Sequence, residues 1–364
     1  LEAHVEGFSG LRSVTKFSAG QSNPTYRVDA ASGSYVLRAK PPGELLKSAH
    51  QVDREFRVMA ALAGTDVPVP RVFALSGEGG ESPIGRMFYV MEFLDGRIFW
   101  DPALAELPSN EERAGIYDAM NRTLAALHSV DVEAVGLSDF GRPGSYFERQ
   151  LSRWTKQYRA SETETLADMD GLIAWLEANT PPDDGTVSLV HGDYRLDNMM
   201  FAKDRPDVIA LLDWELSTLG HPFADLAYQC MQWRLPHDSG FKGLGGIDRH
   251  AIGLPTEEEY VASYCRRRGL SGIPDWGFYI AFSFFRLGAI LQGVYKRAIS
   301  GNASSAEGKQ VGQLAKVVAA YEKSSGHAPH VFSGSSAGAV AFGHLEVIQG
   351  AAAAQNGGRG KGKK

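Results

Sequence analysis

Residues 189–201, LVHGDYRLDNMMF, set a His, a Gly, two Asp, an Arg and an Asn between two short apolar runs. Fifteen residues after Asn198, a further apolar run, VIALLDWE, ends abruptly on Asp213. This pair of segments constrains the chain more than any other feature. Short apolar runs bounded by polar clusters read as buried strands. Joined as a hairpin through MMFAKDRPDV, the strands bring both polar clusters to one end. An Asp–Asn–Asp set there suits a hard cation such as Mg2+, which takes oxygen ligands and keeps room for water and phosphate. The same residue types are also ordinary turn formers, because their side chains hydrogen-bond nearby backbone. One such loop would be a turn; two, each ending an apolar strand, favour a functional site.

The remainder of the 364 residues reads as a frame for that element. Residues 1–94 form a β-rich lobe: LRSVTKFSAG, TYRVDA and YVLRAK are strand-like, with ASGS (31–34) turning the last two into a hairpin. One helix follows within 44–64, its apolar residues Val52, Phe56, Met59 and Leu62 near helical spacing. VPVPRVFALS and RMFYVMEFL return to strand character across the turn-rich GEGGESPIG. After LDGR the character becomes helical. A helix over 109–130 opens with Ser109 and Glu112 at capping-box spacing. Others are expected near 145–160 and 164–179, from Thr256, near 275–299 and near 305–324, interrupted by a small β island at 187–214. The expected fold is α+β and bilobal, with a β-rich lobe at 1–94, a mainly helical lobe at 95–326, and a flexible tail at 327–364 rich in Gly, Ala and Ser.

Composition excludes several classes. A net charge of −6 gives no bulk attraction for nucleic acid, so no nucleic-acid partner is expected. Two cysteines, Cys230 and Cys265, make neither a disulfide framework nor a zinc site, and a reducing, cytoplasmic setting is the expectation. The opening LEAHVEGFSGLRSV has no basic-then-apolar pattern of a secretory leader. The apolar stretch 276–295 contains Arg286, Ser283 and Gln292, so a buried helix is expected there and no membrane partner.

His191-Gly192-Asp193 followed by Asn198, with Asp213 in the triplet Asp213-Trp214-Glu215 and HPFADLAY at 221–228, resembles the aminoglycoside phosphotransferase family of kinase-like small-molecule kinases. The resemblance runs over roughly residues 10–300. It implies a protein-kinase-like fold and phosphoryl transfer from ATP with Mg2+, a reaction that depends on positioning and charge neutralisation. It gives Asp193 the proton of the acceptor hydroxyl, Asn198 and Asp213 the metal, and Arg195 the moving phosphoryl group. His191 is read as a structural anchor of the loop, Asp197 as a local brace, and Asp225 as a support for the catalytic loop. In the β-rich lobe the resemblance implies Arg38 as the phosphate-binding cation and Glu55 as its holder. Lys40 lies two residues on, on the same strand face, as the alternative. Arg in that place departs from the usual Lys. FSAGQSNPTYRV would cover the phosphates through backbone N–H groups and Ser22, although it lacks a G-x-G-x-x-G pattern. The backbone at Glu92 and Phe93 would meet adenine.

Only twelve residues separate Asp213 from Asp225 and no A-P-E follows, which disfavours a protein kinase. A small hydroxylated acceptor is expected instead. Mixed charge over 230–250 speaks against an aminoglycoside; Arg234, Lys242 and Arg249 there read as a solvated face. LLDWELSTLGHPFADLAYQC and GLPTEEEYVASYCRRRG are similar to the kinase-like domain fused to certain acyl-CoA dehydrogenases, which implies an acyl or hydroxyacyl-CoA-type acceptor. The alternatives are a non-catalytic nucleotide- or metabolite-binding module and, more distantly, a metal-dependent hydrolase.

Overall fold

The structure, a computed structural model, describes residues 1–2, 4–17, 23–42, 50–77, 82–237 and 242–300. The expected tail at 327–364 and the helix near 305–324 lie outside them. The chain divides into two compact units, each gathered from three stretches. The first takes Leu1–Trp100, Glu111–Arg142 and Ser188–Gly220; the second takes Asp101–Asn110, Pro143–Val187 and the chain from His221 on.

The first unit contains a five-stranded antiparallel sheet in the order β1 (Leu11–Lys16), β2 (Thr25–Ala30), β3 (Gly33–Ala39), β5 (Phe88–Glu92), β4 (Val72–Ser76). Strand alternation sorts its side chains. Val28, Ala30, Tyr35, Ala39, Phe88 and Val90 bury against Val5 and Phe8 from the N-terminal segment. Arg38 therefore points to the other face, where it sits directly across from Tyr89. Helix α1 (Val52–Leu62) buries Val52, Glu55, Val58, Met59 and Leu62. Glu55 thus falls on the stripe that the helix turns inward, where apolar residues belong.

The β island belongs to this same unit, as does α2 (Asn110–His128) after its first residue. Two ladders are nested in the island. The inner one is the expected hairpin, β7 (Met199–Phe201) against β8 (Val208–Leu211). The outer one pairs β6 (Ser188–Val190) with β9 (Thr218–Gly220), a closure absent from the sequence expectation. The backbone bridge between Arg97 and Phe201 continues the inner ladder onto the segment after β5.

The second unit is helical: α3 (Tyr146–Ser161), α4 (Ala167–Asn179), α5 (Phe223–Cys230), α6 (Glu257–Arg268) and α7 (Trp276–Ile299). Helix α6 begins as its sequence predicts. Thr256 accepts from Glu259 N, Glu259 returns the bond to Thr256 N, and Gly269 ends the helix in the left-handed region. Helix α7 is long and apolar enough to cross a membrane, yet most of it is buried against α3, α4 and α5. Its Arg286 is buried with its guanidinium between the rings of Trp154 and Tyr228, 5.5 and 5.0 Å from their centroids.

Arg234 departs from the sequence expectation of a solvated face. It is buried and forks onto Glu257 through two hydrogen bonds of 2.9 Å, while Trp276 Nε1 donates to the same carboxylate at 2.8 Å. Removing one partner of such a pair strands a buried charge. Arg234→Met is expected to cost about 3–5 kcal/mol of stability. Chemical denaturation measures it, and Arg234→Met with Glu257→Gln should recover a substantial part.

Candidate active site

Both polar loops bridge the nested ladders. The first leaves β6 at Val190 and enters β7 at Met199; the second leaves β8 at Leu211 and enters β9 at Thr218. Each is therefore clamped at both ends, and the two run side by side. Backbone bonds join them: Leu212 N donates to Asn198 O at 2.8 Å. His191, fully buried, reinforces the join. Its Nδ1 accepts from Asp193 N at 3.2 Å, which makes Nε2 the protonated nitrogen, donating to Leu212 O at 2.8 Å. This is the anchoring expected of it. Tyr194 adds a tie to α2 by donating to Met120 O at 2.7 Å.

Within the first loop, Asn198 Nδ2 donates to the backbone carbonyl of Asp193 at 2.8 Å and to its Oδ2 at 3.0 Å. The amide thereby fixes the carboxylate's rotamer. Arg195 is half-exposed and forms a 2.5 Å ion pair with Asp197, with Asp193 Oδ1 at 3.6 Å from its Nε. Asp197 therefore braces Arg195, and its burial raises its pKa against the lowering effect of that guanidinium. Gly192 is required where it stands. Its φ is +84°, and a Cβ there would lie 2.5 Å from Leu216 O in the second loop. Asp213 occupies the left-handed region without being glycine, at φ 63° and ψ 62°, a conformation that costs about 1–3 kcal/mol and persists only where surroundings enforce it.

The side chain that holds the Asp213 carboxylate is Arg38. Its Nη2 donates to Asp213 Oδ1 at 2.6 Å. Its Nε lies 2.9 Å from Glu55 Oε2, an ion pair whose N–H is not aimed well enough for a hydrogen bond. Glu55 is almost fully buried and receives further donors: Asn23 Nδ2 at 2.9 Å and the Tyr89 hydroxyl at 3.0 Å. His50 Nδ1 donates in turn to Asn23 Oδ1 at 3.0 Å. Burial pushes the Glu55 carboxyl up to about 7, against the lowering effect of Arg38. Lys40, the alternative cation, lies apart at 3.7 Å from Asp53. Helix α1 is pinned to the second loop by Arg54, which donates to Phe140 O at 2.6 Å and Ser217 O at 3.3 Å.

One ligand oxygen from each of Glu55, Asp213 and Glu215 lies within 4.8 Å of the others. With the Asn198 amide at the foot of the same hairpin, the donors here are all oxygen, which fits a hard divalent cation and not a thiophilic one. Sequence reasoning missed Glu215, Asn23, Tyr89 and His50. For Tyr89 the signal was its position across from Arg38, visible only once the strands are paired.

The remaining sequence candidates divide. Glu92 ends β5, and its N–H is taken by Arg71 O at 2.8 Å. Phe93 follows, with the Arg27 guanidinium 4.3 Å from its ring centroid. Ser22 lies outside the described residues. Asp225 is buried on α5 in the second unit.

The profile of the phosphotransferase enzyme family matches residues 13–278. The chain is similar to acyl-CoA dehydrogenase family member 10 of Mus musculus, 49% identical over 327 residues that cover 88% of this chain and 30% of that protein. It is also similar to acyl-CoA dehydrogenase family member 11 of Homo sapiens, 43% identical over 310 residues, 84% of this chain and 39% of that one. It thus spans well under half the length of these relatives. Among solved structures, a "putative aminoglycoside phosphotransferase" of Ralstonia eutropha superimposes with a TM-score of 0.80 at 49% identity, covering 87% of this chain and 93% of that one. The GDP complex of aminoglycoside 2'-phosphotransferase-IIIa gives a TM-score of 0.58 at 15% identity over 85% of this chain and 93% of that one, a likeness of fold.

Two outcomes follow from the geometry. Gly192→Ala is expected to destabilise the protein by about 1–3 kcal/mol, from the left-handed φ and the clash with Leu216 O together, as read by denaturant midpoint. Glu55 holds its proton more tightly when folded, at about 7, than its ordinary 4.5. The folded chain therefore binds more proton between those values, and its stability falls as pH rises through that window and then levels. Melting temperatures measured with chelator across that window should fall in the parent relative to Glu55→Gln.

Proposed function

Because the chain belongs to the phosphotransferase enzyme family, with its protein-kinase-like fold, we propose that it transfers the γ-phosphoryl group of ATP, in the presence of Mg2+, to a hydroxyl of a small molecule. The observation that carries this reading is the convergence, within one compact unit, of Asp193, Asn198 and Asp213 with the Arg38–Glu55 pair. The parts that phosphoryl transfer needs are then in one place: an acceptor for the hydroxyl proton, a cation for phosphate, and oxygen donors for a divalent ion.

In this reading the acceptor hydroxyl approaches Asp193, whose carboxylate is held ready by Asn198. The acceptor oxygen forms its bond to the γ-phosphorus as the bond to the bridging β–γ oxygen breaks. ADP leaves with that electron pair, and the hydroxyl proton passes to Asp193. Arg195 neutralises charge on the moving group from the same loop. Arg38, anchored on buried Glu55, binds the phosphates that stay behind. The backbone at Glu92 and Phe93 meets the adenine edge, with the Glu92 carbonyl and the Phe93 peptide groups as its polar contacts. Asn198 and Asp213, with Glu215 beside them, would hold Mg2+, which would offset the negative charge of the phosphates.

We place the acceptor among acyl or hydroxyacyl-CoA-type metabolites. The support is the 49% identity to a segment of acyl-CoA dehydrogenase family member 10. An assay of ADP release over hydroxyacyl-CoA esters, sugars and amino alcohols tests both parts. Turnover with a CoA ester should exceed that with the others. Asp193→Ala should lower kcat by about 10^2–10^4-fold, the usual share of a positioned proton acceptor. Mg-ATP at a hundred times its Kd should stabilise the protein by about 2.7 kcal/mol. Stabilisation without turnover on the whole panel would leave a nucleotide-binding module; no stabilisation would overturn the reading.

A further inference from the structure

The guanidinium of Arg38 lies on one of the carboxylates that would hold a divalent ion. Its Nη2 engages Asp213 Oδ1 at 2.6 Å, and Asp213 is one of three carboxylates, with Glu55 and Glu215, whose ligand oxygens lie within 4.8 Å of one another. The contact is a short, charge-assisted bond in a half-buried position, stronger than a surface ion pair. A cation on the Asp213 carboxylate would stand a few ångströms from the Arg38 guanidinium, and two positive charges that close repel. Arg38 has a second anchor in Glu55, which is buried and held by Asn23 and Tyr89. Its far end can therefore swing off Asp213 without the side chain leaving the site. Among the described residues Lys40 is no substitute, since it lies against Asp53.

We infer that Arg38 is an internal counter-ion that locks Asp213 against a divalent cation until phosphate draws the guanidinium away, so that metal and nucleotide bind as a coupled pair. This rests on the phosphotransferase reading of the same site. The coupling is reciprocal: whatever factor nucleotide adds to metal affinity, metal adds to nucleotide affinity. Arg suits this exchange better than Lys. Its planar fork can keep one nitrogen on Glu55 while another changes partner, whereas a single ammonium cannot span both carboxylates as well.

The test is Mn2+ binding without nucleotide, followed by the loss of the free-ion paramagnetic resonance signal on titration. Arg38→Met should bind Mn2+ at least tenfold more tightly than the parent. Arg38→Gln, a polar replacement should the Met variant fold poorly, should do the same. Arg38→Lys should fall between. Glu55→Gln alone leaves Arg38 on Asp213 and should bind Mn2+ no more tightly than the parent. Equal or weaker Mn2+ binding in the folded Arg38 variants overturns the lock. Its failure is separable from that of the phosphotransferase reading. If Mn2+ with a non-hydrolysable ATP analogue stabilises the parent but the Arg38 variants show no tightening, only the lock is wrong. If the analogue leaves the parent's melting temperature unchanged, the shared premise falls, and the lock with it.

Discussion

A single guanidinium held between two carboxylates organises the first unit. Arg38 leaves the middle strand of the sheet, Glu55 comes from the inward stripe of α1, and Asp213 comes from the end of the inner hairpin of the island. Sheet, helix and island thus meet at one charge. Burying an ion pair is not a gain in itself, because desolvation offsets much of the attraction. Here the arrangement is sustained by extra donors on Glu55 and by the clamped ends of both loops. Arg54 acts in parallel by tying α1 to the carbonyl of Ser217, and its guanidinium lies 3.9 Å from the ring centroid of Phe140.

Much of this was legible from residue order. The His-Gly-Asp and Asp-Trp-Glu segments declared themselves because each interrupts an apolar run, and apolar runs of that length become strands. Period-two alternation put Arg38 and Lys40 on one face, while Glu55 came from the resemblance and its burial only from the structure. Alternation could not choose between the two cations. That choice needed the pairing of β3 with β5 and the position of α1, which are set by packing between distant residues. Tyr89 and Asn23 escaped notice for the same reason: their contacts with Glu55 span 34 and 32 residues. The outer β6–β9 ladder escaped for another. Three-residue strands are too short for periodicity to register.

Buried charges share a cause. Arg234 sits in a segment of mixed sign and reads as solvated, yet Glu257, twenty-three residues on, brings the carboxylate that allows its burial. Arg286 interrupts an apolar helix and remains buried because two rings take its guanidinium. Local composition reports the cost of burying a charge and not the partner that offsets it.

The three-stretch make-up of the first unit also has a consequence for how the chain is made. Arg38 and Asp213 lie 175 residues apart. Ribosomes extend a chain by about 5–20 residues each second, so roughly 9–35 s pass between the synthesis of these two residues. During that interval the sheet hairpins can form from local contacts, but Arg38 has no Asp213 to meet and α1 no second loop to bind. The charged centre is therefore the last part of the unit to close, and a nascent chain waits for it with one wall missing.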